Sequence, residues 1–211
     1  MIFKDRADAG RKLLVELYKE RVIKKNKRQV VVVSLLRGGI IVGEKIASGL
    51  QVKHLPLAVA KIPAPHNPEL AIGALCFDTT YLEKSVVDSL GLTRSQIAGQ
   101  IKQAQSKFIS YINGFCLKKI QYARRLKNKT VVLTDDGIAT GSTVKAAALY
   151  LKSKQIKKLI LAVPVAPNDF YISGVDKQII LHKDFALRAV SQFYESFPQV
   201  EDKEVRITMK P

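Results

Sequence analysis

Two adjacent carboxylates, Asp135 and Asp136, closely follow a short apolar stretch at residues 131–133. Its β-branched and apolar residues are typical of a buried strand, so we expect the acids at that strand's carboxyl end. Their oxygens can accept hydrogen bonds from a vicinal diol or coordinate a hydrated metal ion. The pair therefore predicts a site for a diol, a metal, or both.

The loop after the acids offers a second kind of chemistry. Gly137 and Gly141 bracket a turn, and Ser142 or Thr143 can cap an Ala-rich helix expected to run to about Lys154. Free N–H groups and the positive end of a helix dipole make such a junction an anion-binding site. Together with the diol acceptors, this pattern favours a sugar phosphate as the ligand. The anion cradle would be formed by Ala139, Thr140, Gly141, Ser142 and Thr143.

Two common nucleotide motifs are excluded. A P-loop has the pattern GxxxxGK[ST], whereas here three residues separate Gly137 from Gly141 and no lysine follows the second glycine. No GxGxxG sequence occurs, so a dinucleotide fingerprint is unsupported.

A second strand, glycine and helix pattern begins at residue 30. The apolar run 30–36 predicts a central parallel strand, and Arg37, Gly38 and Gly39 follow it. This junction is another expected anion site, and Arg37 adds a fixed charge with fork geometry. Lys61 follows a further predicted strand at residues 54–60, where it is either a second ligand for the anion or an ordinary surface lysine.

The segment from the apolar run to Thr143 resembles the phosphoribosyl diphosphate motif of the type I phosphoribosyltransferases. This resemblance implies that Asp135 and Asp136 contact the ribose hydroxyls and that residues 139–143 wrap the 5-phosphate. It also implies that Arg37, Gly38, Gly39 and Lys61 bind the diphosphate, and that the peptide bond before Arg37 is cis. Arg37, Lys61 and the two acids are the expected catalytic residues.

Two further stretches resemble one uncharacterised branch of that family. They are the opening Phe-x-Asp-Arg-x-Asp-Ala-Gly at residues 3–10 and Pro-Glu-Leu-Ala-Ile-Gly at residues 68–73. Either Asp5 or Arg6 has a functional role, or Asp5 only caps the first helix. Departures from the family pattern are Gly137, where an aliphatic residue is usual, and Ala139, where some members carry an Asp. Proton transfer would then fall to Glu69, Asp78 or Asp184, among which the sequence does not choose.

Length and composition agree with a single domain, which the resemblance implies is a phosphoribosyltransferase domain at residues 1–211. At 47% hydrophobic residues, the chain can bury a full core, and no linker divides it. We expect an α/β fold with a mostly parallel twisted sheet flanked by helices, and the resemblance implies a small hood and a flexible hairpin loop. Prolines at residues 63, 65 and 68 predict a loop rather than a strand. The charged N-terminus and the absence of a long apolar run predict a cytoplasmic protein with no membrane partner.

The reaction implied by the resemblance is displacement at C1 of phosphoribosyl diphosphate by a small nitrogenous base, with release of diphosphate. The enzyme would be a glycosyltransferase of nucleotide metabolism that requires Mg²⁺, held by Asp135 and Asp136 directly or through water. We also expect a homodimer. The alternatives are transfer to an acceptor other than a free base, or a phosphoribosyl diphosphate-sensing regulator that binds RNA or DNA.

The net charge of +17 bears on the regulator alternative. Three basic clusters each precede a predicted parallel strand, so we expect them at the sheet edge opposite the acid pair. A solvated surface is favoured over a nucleic-acid face because, apart from Tyr122, no aromatic residues are interleaved for base stacking. The clusters are Lys24, Lys25, Lys27 and Arg28; Arg124, Arg125, Lys127 and Lys129; and Lys152, Lys154, Lys157 and Lys158.

Overall fold

The computed structural model describes residues 2–208, and within them the chain forms eight strands and eight α-helices. The strands are β1 (Val30–Leu35), β2 (Lys53–Leu57), β3 (Ala60–Ala64), β4 (Asn67–Cys76), β5 (Thr79–Leu82), β6 (Thr130–Thr134), β7 (Lys158–Pro167) and β8 (Lys177–Asp184). The helices are α1 (Arg6–Leu17), α2 (Arg21–Lys25), α3 (Gly39–Leu50), α4 (Lys84–Ser89), α5 (Arg94–Gly114), α6 (Lys119–Leu126), α7 (Ser142–Lys152) and α8 (Asp202–Thr208). Two 3-10 turns lie at Lys27–Gln29 and Val190–Phe193.

The main sheet has five parallel strands in the order β2-β1-β6-β7-β8, which confirms the predicted α/β class. Strands β1 and β6 are buried along their whole length, as their apolar sequences predicted. Because side chains alternate along a strand, Val31 and Val33 pack toward α7 while Val30 and Val32 pack toward α1 and α3. All five strands run the same way, so their carboxyl ends share one edge.

A smaller antiparallel sheet, β3-β4-β5, replaces the loop predicted from the prolines. That prediction was wrong because Pro63 lies in β3, an edge strand of this sheet. An edge strand tolerates a residue without an N–H, since one side of the strand has no neighbour to pair with. The pairing of β3 with β4 shifts register on both sides of Pro63, as at a β-bulge.

Helix boundaries confirm most sequence patterns and correct one. Asp5 caps α1 by accepting a hydrogen bond from the Asp8 N–H at 2.7 Å. The long helix α5 ends at Gly114, and the chain becomes helical again at Lys119 as α6. Helix α7 begins at Ser142, and its N-cap is Gly141 with a φ of 85°, so neither Ser142 nor Thr143 caps it. The left-handed turn at Gly141 starts the helix one residue earlier than expected.

Residues near the amino terminus meet the segment 193–196 beside the carboxyl edge of the main sheet. The Phe3 N–H donates to the Phe193 carbonyl at 2.8 Å, and the Glu195 N–H donates to the Phe3 carbonyl at 2.8 Å. Phe193 and Tyr194 are buried against Phe3 and Val165, so packing accounts for these two aromatic side chains. Phe185, by contrast, is 92% exposed. Within residues 2–208, no helix is both long and apolar enough to cross a bilayer.

Candidate functional site

A cavity of about 370 Å³ lies at the carboxyl ends of β1 and β6. It brings together most of the residues that the sequence singled out, from three separate parts of the chain. Gly39 and Ser142 are buried and do not line it. The predicted residues that line the cavity are Arg37, Gly38, Lys61, Asp135, Asp136, Ala139, Thr140, Gly141 and Thr143.

Asp136 is held by an arginine from the other end of the chain. Arg6 Nε donates to Asp136 Oδ2 at 2.8 Å, and Arg6 Nη1 donates to the Pro198 carbonyl at 2.7 Å. The Arg6 guanidinium carbon also lies 3.6 Å from the centre of the Phe197 ring, a cation–π contact. Of the two alternatives for the opening motif, Arg6 therefore contacts the acid pair and Asp5 caps the helix.

Asp135 has a different environment from its neighbour. Burial raises the pKa of its carboxyl well above the ordinary value, and the negative charge of Asp136 raises it further. The Asp136 N–H, which donates to Asp135 Oδ1 at 2.9 Å, and the charge of Lys61 act in the opposite direction. Asp135 makes no ion pair with any residue in the range 2–208. A bound cation would therefore stabilise its ionised form.

The glycines after β1 allow their loop to lie against the acid pair. A Cβ atom on Gly38 would overlap the Asp136 carboxylate, and one on Gly39 would lie 2.8 Å from Asp135 Oδ1. The peptide bond between Leu36 and Arg37 is cis, as expected. The two predicted anion loops are thus neighbours in space, and glycine is required at their contact.

Arg37 contributes a cation whose Nε–H has no hydrogen-bond partner within the described residues. Its Nε lies 2.9 Å from Asp202 Oδ1 on α8, but the direction does not satisfy hydrogen-bond geometry. The contact is an ion pair of a partly exposed arginine with an exposed carboxylate. A buried donor without an acceptor is a group that an anionic ligand can satisfy.

Helix α5 supplies two cavity residues that sequence reasoning missed, Lys107 and Tyr111. The Tyr111 ring centre lies 6.0 Å from the Arg37 guanidinium carbon. The helix packs on the small sheet and not on the main one. The predicted ends of the main-sheet strands therefore gave no indication that this helix lines the cavity. The sequence feature that could have indicated these two residues is their spacing of four, which places both on one face of a helix.

The loop between the acids and α7 explains one departure from the family pattern. A Cβ atom on Gly137 would lie 2.5 Å from Val190 Cγ1 and 2.8 Å from Val165 Cγ1. These two valines therefore occupy the space that an aliphatic side chain would need. Ala139 and Thr140 are exposed, and their N–H groups precede the amino end of α7.

The three proposed proton-transfer residues are not part of this cavity. Glu69 is exposed in β4, and Asp78 Oδ2 pairs with Lys119 Nζ at 3.0 Å. Asp184 Oδ2 lies 3.3 Å from His182 Nε2, and neither lines the cavity. The cavity's carboxylates are Asp135 and Asp136 alone among the residues described.

The acid pair fits Mg²⁺ better than it fits a metal held entirely by protein. Within residues 2–208, no group of three or more His, Cys, Asp or Glu side chains could hold a metal ion. Mg²⁺ is commonly bound by one or two carboxylates together with substrate phosphates and water. Asp135 and Asp136 provide that number of carboxylates beside an anion loop.

Comparison with known proteins gives three similarities. Residues 83–177 match the family model described as phosphoribosyl transferase domain. Two Mycobacterium tuberculosis proteins, from two strains and both named "Putative phosphoribosyl transferase", are 31% identical over 218 residues, covering 97% of this chain and 45% of each relative. The crystal structure of TT1426 from Thermus thermophilus is 26% identical, with a TM-score of 0.73 and coverage of 99% of this chain and 98% of that chain.

This chain spans about half the length of the curated relatives it matches. The family-model match contains the acid pair and the loop that follows it, but not the Arg37 loop. Residues 83–177 are therefore similar in sequence to phosphoribosyl transferase domains, and along nearly its whole length the chain shares the α/β fold of TT1426.

Proposed function

We propose that residues 1–211 form one type I phosphoribosyltransferase domain, which transfers 5-phosphoribose from phosphoribosyl diphosphate to a nitrogenous base. The observation that carries this proposal is the meeting of two anion loops and one acid pair in a single cavity. Phosphoribosyl diphosphate carries an anionic group at each end and a diol between them. A cavity of about 370 Å³ is within the range of small-molecule sites.

In this proposal the 5-phosphate accepts hydrogen bonds from the N–H groups of residues 139–143 at the amino end of α7. The ribose hydroxyls donate to Asp135 and Asp136. The diphosphate lies against the Gly38 amide, the Arg37 Nε–H, which makes no hydrogen bond to a described residue, and the Lys61 ammonium. Lys107 and Tyr111 line the same cavity and form its wall next to the diphosphate.

The chemical step is displacement of diphosphate from C1 by a base nitrogen. Little covalent work falls to the protein, which holds C1 in reach of the nucleophile and stabilises an oxocarbenium-like transition state electrostatically. Mg²⁺ held by the acid pair would neutralise charge on the leaving group. The proton of the base leaves to solvent or to the substrate, because no described residue of the cavity other than the acid pair is a carboxylate.

The test is incubation with Mg²⁺, phosphoribosyl diphosphate and a panel of purine and pyrimidine bases, scored for nucleotide and for diphosphate. We expect one base class to give both products in equal amounts. Asp135→Asn should abolish turnover, whereas Asp88→Asn, which changes an exposed acid on α4, should not. Binding of phosphoribosyl diphosphate without turnover of any base would contradict the transferase function and favour a sensor.

A further inference from the structure

A second cavity, of about 590 Å³, lies at the opposite edge of the main sheet, where β1 and β2 begin. Two of its cations come from the 3-10 turn before β1, one opens β2, two end α6, and one precedes β6. No carboxylate lines this basic cavity within the described part of the chain. Its six cationic residues are Lys27, Arg28, Lys53, Arg124, Arg125 and Lys129.

None of the six forms an ion pair with a carboxylate of residues 2–208. Lys129 Nζ donates only to neutral oxygens, at 3.2 Å to the Arg28 carbonyl and 3.0 Å to Gln29 Oε1. Lys27 Nζ lies 5.0 Å from the centre of the Tyr18 ring. These contacts fix side chains without neutralising their charge. On α1, in contrast, Lys12 pairs with an acid of the same helix.

Helix dipoles explain only a small part of this charge. The carboxyl ends of α3 and α6 both reach the cavity, and each end carries roughly half a negative charge. Together they offset about one of the six cations. About five positive charges therefore lie around one concavity without compensation, which repels the compact state unless an anion neutralises it.

We propose that the basic cavity binds a compact anion with three or more consecutive phosphate groups. Its volume is that of a small-ligand site, and its three arginines and three lysines suit phosphate oxygens. No aromatic side chain of the described residues lines the cavity, so recognition is of charge and not of a stacked base. The cavity shares no lining residue with the candidate site, so the two sites are distinct.

The test uses inorganic tripolyphosphate as the probe, titrated calorimetrically into the whole chain at about 150 mM salt, where surface attraction is largely screened. We expect saturable binding that Arg124→Glu with Arg125→Glu weakens by at least about tenfold. The matched control is Lys24→Glu with Lys25→Glu, which makes the same charge change on exposed residues of α2 outside the cavity. That control should bind within about twofold of the unchanged protein.

Four outcomes would overturn the proposal. One is non-saturable binding, and another is equal weakening by both charge-reversed pairs, since either would indicate general charge attraction. The third is single-stranded RNA binding through the same arginines far more tightly than tripolyphosphate, which would make the cavity part of a nucleic-acid face. Arg124→Gln with Arg125→Gln, a milder pair, keeps the test valid if charge reversal disturbs folding. Loss of binding in Arg37→Glu instead would assign the anion to the candidate site.

Discussion

Charged side chains are paired differently at the two edges of the main sheet. At the carboxyl edge, Asp136 is paired with Arg6, and Arg37 faces Asp202, so distant parts of the chain fix the charged groups. At the amino edge, the cations of the basic cavity have no acidic partners among residues 2–208. The same kind of mutation, removal of one cation, should therefore have different effects at the two edges. The Arg6–Asp136 ion pair at the first edge is part of the fold, whereas the cations of the basic cavity at the second edge form no ion pair within the described chain.

The largest expected effect is that of Arg6→Ala, which leaves the Asp136 carboxylate and the Pro198 carbonyl without their partner. Loss of one member of a largely buried ion pair should lower the free energy of unfolding by about 3 kcal/mol. Urea denaturation measures this change. Lys12→Ala, which breaks an exposed ion pair on the same helix, should change it by less than about 1 kcal/mol. Equal effects of the two variants would show that Arg6 is not a structural link.

A somewhat smaller loss of stability is expected when a side chain is added at Gly137, in the loop that follows the acid pair. Gly137→Ala would place a methyl group 2.5 Å from Val190 and should lower the free energy of unfolding by about 2 kcal/mol. Combining it with Val190→Ala should recover part of this loss, because the clash is removed. A double-mutant cycle with no coupling between the two positions would contradict the packing argument.

The acid pair allows a sharper test, since replacing Asp135 and replacing Asp136 should change the melting temperature in opposite directions. The pKa of Asp135 in the folded state lies above its ordinary value of 3.8. The protonated Asp135 carboxyl therefore stabilises the fold, and this stabilisation is lost as the pH rises through the folded-state pKa. Asp135→Asn should therefore increase the melting temperature near neutral pH, and the gain should shrink toward about pH 3. Asp136→Asn should lower it, because Arg6 loses its charged partner. A gain for Asp135→Asn that is independent of pH would contradict this account.

The sequence alone assigned the same ligand-binding role to both acids. It placed them correctly at a strand end, because β6 is a short apolar run and its burial follows from composition. It did not foresee the ion pair of Asp136 with Arg6, which joins residues 130 positions apart. Local patterns determine strands and caps, whereas such a pair depends on how both chain ends fold back onto the sheet.

The same distinction explains the other differences between sequence and structure. Lys107 and Tyr111 reach the site only because α5 packs on the small sheet, and no strand-end pattern indicates that. Pro63 was interpreted as excluding a strand, although an edge strand with a register shift accommodates it. The opposite placement of the acid pair and the basic clusters, by contrast, was predictable, because it follows from parallel strand direction alone. The structure places the two cavities on opposite edges, in agreement with that direction.

The smallest effect on stability is expected at the amino edge. Arg124→Gln with Arg125→Gln removes two exposed cations that have no acidic partner in the described chain, so the free energy of unfolding should change by no more than about 0.5 kcal/mol. Any change should be a gain at low salt, where repulsion among the remaining cations is least screened. A loss near that of Arg6→Ala would show that these arginines are structural.

The most direct measurement of the central claim is calorimetric titration of the chain with phosphoribosyl diphosphate in the presence of Mg²⁺. We predict saturable binding with one site per chain, weakened at least about tenfold by Asp135→Asn, which removes a charged acceptor without destabilising the fold. Arg124→Gln with Arg125→Gln, at the opposite edge, should leave the affinity unchanged. Absence of binding, or an affinity that depends on the amino-edge arginines and not on Asp135, would contradict the assignment of the ligand to the carboxyl-edge cavity.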